Sequence, residues 1–301
     1  MNKPTPDIRS GHPACIHLSL CQIYTRQWQV EENFKRVLHA LDQAKRQSSE
    51  LAVFPECSFH GYGFDTNEDY RTKMKQIAEP ASGKHLSLVC EQAKRLNLSV
   101  VIGFAEKDRN ENIYNSAAYI SNTGIIQYIY RKVHCRSFES IDHQGIFVPG
   151  DAFYTAELAG REGAFKLGTM ICFDREVVES VRCLRALGAE LIACPLATDT
   201  MNLKKKERFI YNETITRCRA IENEVFIAVV NHSGRFNGGS FIVEPDGQIL
   251  LQMGSDAGIQ TAKVPVGGVP RHFHNNALGW MGWGYRRPAV YDKYLGASRN
   301  H

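Results

Sequence analysis

The amino-acid order predicts an α/β fold, a mixed sheet covered by helices. Three observations carry it. Short apolar runs alternate with amphipathic stretches at helical spacing, β-α-β units are interleaved with hairpins, and no low-complexity linker or internal repeat divides the chain. The last point makes one compact domain the simpler reading of 301 residues.

The elements follow in order. Ile16–Ile23 reads as a strand, and Val30, Phe34, Val37, Leu38, Leu41 and Ala44 then recur at helical spacing. Leu51–Phe54 is a short apolar run that Pro55 ends. Leu86, Val89, Ala93 and Leu96 mark a second helix before the strand Val100–Phe104. Ser116–Ile120 and Ile125–Tyr130 flank Ser121-Asn122-Thr123-Gly124, a hairpin signal. Ala164–Ile171 is a strand leading into a helix in which Val177, Val178, Val181, Leu184 and Leu187 should face inward. Leu191–Cys194, a long helix over about 204–222, and the strand Val225–Val230 come next. A second hairpin joins Ser240–Val243 to Gln248–Leu251 across Pro245-Asp246-Gly247.

Composition narrows the function. Apolar residues make up 43% and charged residues 23%, with a net charge of +4. That charge is too small to imply nucleic acid, and Lys204-Lys205-Lys206 reads as a solvated helix face. The longest apolar run is far short of the about 20 residues that span a membrane. Residues 1–14 are polar, contain Pro4, Pro6 and Pro13, lack the apolar stretch of a secretory signal, and read as a flexible lead-in to a domain over 15–301. Nine scattered cysteines with no C-x-x-C do not suggest a disulfide framework. A reducing, cytoplasmic location is the expectation.

Ligands of such sheets bind beyond the carboxyl ends of strands. Glu56, Lys132 and Cys172 stand at three such ends. A thiol there, at the start of a helix that Asp174 would cap, should feel unpaired N–H groups that favour the thiolate. Glu56 could move a proton between thiol and leaving amine, and Lys132 could stabilise an oxyanion. Each residue alone also fits a plain role: a core cysteine, a solvated acid, a surface lysine. Cys57 and Cys135 adjoin the site as wall residues; Cys15, Cys21, Cys90, Cys183 and Cys218 look like packing.

These residues and their flanks resemble the nitrilase superfamily of carbon–nitrogen hydrolases. Val53-Phe54-Pro55-Glu56 with Gly61-Tyr62 looks like its glutamate motif. Tyr130-Arg131-Lys132-Val133-His134, after Tyr114-Asn115-Ser116, looks like its lysine motif. Gly168-Thr169-Met170-Ile171-Cys172-Phe173-Asp174 looks like its nucleophile elbow. Gly188 to Ile192, Arg219 to Asn223, Asn231, Gly239-Ser240, Pro245-Asp246-Gly247, Arg286-Arg287-Pro288 and Tyr291 extend the match along nearly the whole chain.

The resemblance implies a four-layer α-β-β-α sandwich with mixed sheets and a C-terminal arm from about residue 270, usually paired as a homodimer, with no metal and no cofactor. It implies Glu56 as general base and acid, Cys172 as nucleophile and Lys132 as oxyanion donor, with the Phe173 N–H as second donor. A further catalytic glutamate is expected at Glu139, with Asp142 the substitute. One departure is Val177-Val178-Glu179, where the family often has an aromatic residue and proline before the glutamate.

True nitrilases tend to carry Trp-Glu-Asn after the cysteine. Phe173-Asp174-Arg175 is closer to amidases and N-carbamoyl amidohydrolases, so a small linear amide or carbamoyl compound is the expected substrate, with Arg175 available to a substrate carboxylate. The alternatives are a small nitrile, an inactive binding or scaffold protein, and a metal enzyme built on His272 and His274. Gly279–Tyr294, rich in Trp280, Met281, Trp283, Tyr285, Tyr291 and Tyr294 beside arginines, reads as a subunit interface.

Overall fold

The computed structural model describes residues 14–63, 68–143, 145–198, 205–266 and 286–295. The first half begins with strand β1 (Ile16–Gln22), helix α1 (Val30–Arg46), β2 (Leu51–Val53), α2 (Glu68–Ile77), α3 (Lys84–Leu96), β3 (Ser99–Lys107), β4 (Ile113–Ile120) and β5 (Ile126–Arg131). The second half runs β6 (Thr155–Gly160), β7 (Gly163–Thr169), α4 (Val178–Ala186), β8 (Leu191–Pro195), α5 (Lys205–Asn223), β9 (Phe226–Val230), β10 (Phe241–Val243), β11 (Ile249–Gln252), β12 (Gly258–Val264) and α6 (Pro288–Leu295).

The strands form two six-stranded sheets, ordered β12-β1-β2-β3-β4-β5 and β11-β10-β9-β8-β7-β6. In each, a parallel trio (β1-β2-β3; β7-β8-β9) is flanked by antiparallel strands. Parallel central strands are buried on both faces and so read as apolar runs rather than alternating ones. Leu18, Leu20, Val53, Val101 and Tyr119 of the first sheet pack against Leu167, Ala193, Ala228 and Val230 of the second. Phe34, Val37, Leu41, Leu86, Val89 and Ala93 seat α1 and α3 on the outer face of the first sheet. Val181, Leu184 and Ala220 do the same for α4 and α5 on the second. Helix, sheet, sheet, helix is the expected sandwich.

Four elements escaped the sequence reading: β6, β12, α2 and the C-terminal α6. β6 (TAELAG) and β12 (GIQTAKV) are edge or near-edge strands that bury little beyond Leu158 and Val264. α2 is polar, with Tyr70 and Met74 as its buried pair. Two details differ. Leu187 is 44% exposed rather than inward, because α4 ends at Ala186 and Gly188 turns the chain at φ +93°. Cys183 and Cys218 are exposed, not packed. The aromatic-rich segment from Gly279 to Tyr285 lies outside the described residues, as do His272 and His274.

Candidate active site

Glu56 leaves β2 on a turn that hugs β3. Phe54 N–H donates to Val101 O (2.9 Å) and Ser58 N–H to Gly103 O (2.8 Å). A Cβ on Gly103 would stand 2.7 Å from the Pro55 carbonyl and the Cys57 nitrogen, so the turn needs glycine beneath it. Cys57 takes the left-handed conformation (φ +53°) that closes the turn and sends Glu56 into the interior, where it is fully buried. Asn115 of β4 donates its side-chain N–H to Glu56 Oε1 at 2.6 Å.

Lys132 continues β5, with its N–H on Asn115 O at 2.9 Å. Its ammonium, also fully buried, contacts Glu56 Oε1 at 2.9 Å and both oxygens of Glu139 at 2.8 and 2.9 Å. Glu139 accepts in addition from Tyr62 OH (2.9 Å) and the Arg136 N–H (2.7 Å). Glu139, and not Asp142, therefore meets Lys132; among the described residues Asp142 bonds with Ser140. Two carboxylates hold Lys132 charged: burial disfavours the ammonium, but Glu139 and Glu56 outweigh it and push its pKa well above the usual lysine value. Burial raises Glu56, Lys132 opposes, and Glu139 adds to the rise. Among the described residues Glu56 Oε2 has no hydrogen-bond partner.

Cys172 follows β7 at the first position of a five-residue 3-10 turn, Cys172–Glu176, with φ +48°. A non-glycine residue there is strained, and such strain persists only where the surroundings over-determine it. They do so here. Asp174 turns its carboxylate inward and accepts from Ile171 N–H (3.0 Å), Tyr130 OH (2.6 Å) and His134 N–H (2.8 Å). Arg219 of α5 donates to the carbonyls of Arg175 and Glu176, each at 3.0 Å. Asp174 is thus a strut of the elbow and not the cap of a helix, since α4 starts only at Val178.

The expected lowering of the thiol pKa loses its source with that helix. Burial first, then the Glu56 charge, push Cys172 well above the usual thiol value. Lys132 and the Ala197 backbone N–H oppose them and favour the thiolate.

Phe173 is half-buried, and the Arg136 guanidinium carbon lies 5.3 Å from its ring centroid. Its N–H belongs to the first turn, where N–H groups have no partner within the helix. Arg175 is 1% exposed and gives one nitrogen to Asn212 Oδ1 of α5 at 2.6 Å, while its Nε and Nη1 have no partner among the described residues.

Support residues to which the sequence reading gave no role in the site include Asn115, Asp174 as a strut, and the Asn231-His232 pair after β9. His232 Nε2 donates to the Glu56 carbonyl at 2.6 Å and its Nδ1 meets Thr25 Oγ1 at 3.0 Å. Asn231 Oδ1 accepts from Thr198 N–H at 3.1 Å, next to Ala197, whose backbone bonds with Cys172. Only contact across 176 residues of sequence reveals such a strut. Among the described residues no cluster of His, Cys, Asp and Glu could hold a metal ion.

A buried acid, a buried lysine braced by a second acid, and a strained cysteine are the groups that a thiol-based hydrolase would use. The family pattern of carbon-nitrogen hydrolases matches residues 17–270, and the chain belongs to this family, within the nitrilase superfamily. It is 31% identical over 247 residues to an (R)-stereoselective amidase of a Pseudomonas species, covering 80% of this chain and 82% of that protein. It is 30% identical over 241 residues to a nitrilase of Pyrococcus abyssi, covering 78% and 84%. Among solved structures, an amidase variant from Nesterenkonia sp. AN1, bearing the acetamide moiety of fluoroacetamide on its active-site cysteine, superposes with a TM-score of 0.74 at 22% identity over 95% of this chain and 98% of that one. The protein is a carbon–nitrogen hydrolase of the amidase and nitrilase type.

Proposed function

We propose that the protein hydrolyses small linear amides or N-carbamoyl compounds through a thioester on Cys172. The observation that carries this reading is Lys132, fixed by Glu56 on one side and Glu139 on the other, with Glu56 Oε2 left unpartnered. Glu56 takes the thiol proton as sulfur attacks the carbonyl carbon. The carbonyl electrons move onto oxygen, and Lys132 with the Phe173 N–H stabilises that oxyanion. An ammonium has three N–H donors, two of which Lys132 spends on Glu139, so one can turn to the oxyanion without leaving either acid bare. As the oxyanion collapses, the carbon–nitrogen bond breaks and Glu56 protonates the departing ammonia or amine. Water, deprotonated by Glu56, then cleaves the thioester and restores the thiol.

Release of ammonia from primary amides and N-carbamoyl amino acids is the test. Cys172→Ala should abolish it while circular dichroism stays unchanged; a folded Cys172→Ala protein with full activity ends the mechanism. The nitrile reading draws support from the Pyrococcus abyssi relative. Against it, a nitrile forms a thioimidate whose nitrogen must be protonated before any oxyanion exists, and Phe173-Asp174-Arg175 resembles the amidase branch. Matched nitrile and amide pairs decide, and faster nitrile turnover would overturn the choice. Arg175, expected from the sequence as the carboxylate contact, keeps two N–H groups without partners among the described residues, but they are buried and Asn212 holds the guanidinium.

A further inference from the structure

The arginine whose setting asks most for a ligand is not Arg175 but Arg136. Its backbone N–H is bonded to Glu139 Oε2 at 2.7 Å, so its α-carbon is pinned to the acid that braces Lys132. Its side chain is exposed. The guanidinium carbon lies 5.3 Å from the ring centroid of Phe173, the residue next to the nucleophile, and 5.2 Å from that of Phe138. Cation–π attraction to the two rings holds the guanidinium near the Cys172 turn, and its five N–H groups form a planar fork suited to a carboxylate.

No carboxylate among the described residues pairs with that edge, although other arginines have acids: Arg131 has Glu106, Arg219 has Glu222, Arg217 has Glu213 and Arg95 has Asp42. Glu176, an acid of the same turn as Phe173, accepts from Tyr211 OH at 3.2 Å.

We infer that Arg136 receives a carboxylate at the far end of the substrate, so that the preferred amides are acidic. This rests on the amide-hydrolase reading above and names its substrate class. The carbonyl end sits at Cys172, the carbon chain lies along Phe173, and the acid reaches the fork of Arg136. A planar fork already held in place binds a carboxylate in two parallel hydrogen bonds with little further loss of side-chain freedom. Arg175, at 1% exposure and tied to α5, has no such open edge.

The experiment uses pairs matched in length: butyramide against succinamic acid, and valeramide against glutaramic acid. Values of kcat/KM are measured at low and high ionic strength for wild type, Arg136→Gln and Arg136→Lys. The wild type should favour the acid of each pair by about tenfold or more at low salt, less at high salt because an exposed cation is screened. Arg136→Gln should bring the ratio near one, chiefly through KM, and Arg136→Lys should keep part of the preference. A ratio unchanged in Arg136→Gln, or an equal loss for both members of a pair, overturns the assignment.

The same pairs are titrated calorimetrically into Cys172→Ala and into Cys172→Ala/Arg136→Gln. If wild type hydrolyses none of the amides, the amide-hydrolase reading fails, and the binding ratio alone decides Arg136. Tighter binding of the acid that vanishes with Arg136→Gln supports it; equal or absent binding of the two ends it.

Discussion

Around Lys132 one cation is shared by two carboxylates, and the second of them sets the protonation of the first. Glu139 is among the charges that raise Glu56. Glu139→Gln removes that charge, so the ionised form of Glu56 is favoured more. Activity requires a Glu56–Cys172 pair that has lost one proton. It is therefore lost as pH falls through the pair's apparent pKa, which burial and Glu139 hold above the ordinary carboxylate value. Glu139→Gln should move the acid limb of the kcat/KM profile to lower pH. It should also reduce kcat by about ten- to a hundredfold, since Lys132 loses its bracing charge. An acid limb that stays in place, or moves to higher pH, would show that Glu139 does not act on Glu56. Tyr62→Phe removes the hydrogen bond to Glu139 without removing a charge; its kcat should fall less, with the limb in place.

At the scale of elements, the site is assembled by strand ends and by what lies beneath them. Gly103 of β3 lets the Glu56 turn approach within 2.7 Å of where a Cβ would stand. Gly103→Ala should push that turn away, lowering stability by about 1–3 kcal/mol and activity by tenfold or more. Thermal melting read beside ammonia release checks both, and an Ala variant with wild-type turnover would show that the turn tolerates displacement. The same elements explain what was legible in the sequence. Apolar runs ending in Pro55-Glu56, Arg131-Lys132 and Ile171-Cys172 announced the strand ends, because buried parallel strands leave continuous apolar runs. The partners of those residues were not legible: Asn115, Asp174 and His232 act through geometry between distant segments. β6 and β12 were missed because strands at or near a sheet edge, half-exposed, need no apolar alternation. Asp174 looked like a helix cap because a polar residue after a strand is the usual start of a helix, and the intervening 3-10 turn has no distinct signature.

The whole molecule adds association and acid stability. α6 carries Tyr291 and Tyr294, 38% and 71% exposed, which supports the proposal that subunits pair through the C-terminal region. Light scattering at micromolar concentration should give a dimer or larger assembly, and a stable monomer would refute it. His60 and His232 are both buried. Burial lowers His232 to about 4, and burial with the neighbouring His232 lowers His60 to about 3, from an ordinary 6.5. The unfolded chain binds both protons as pH falls below 6.5 while the folded chain refuses them. Stability therefore drops from pH 6.5 down to about 4 for His232 and about 3 for His60. Each histidine adds about 1.4 kcal/mol of loss per pH unit inside its window. Glu56 and Glu190, both raised by burial, work against that slope, because their folded forms hold a proton longer than the unfolded chain does. A single profile thus mixes signs, and the difference between variants separates them. His232→Gln keeps a side-chain N–H for the Glu56 carbonyl but cannot titrate. Its unfolding free energy, followed by urea melts from pH 7 to 4.5, should fall less steeply than that of the wild type by nearly one proton, whatever its level at pH 7. Parallel profiles would mean that His232 is charged in the folded protein, and that the strut to Glu56 is an imidazolium.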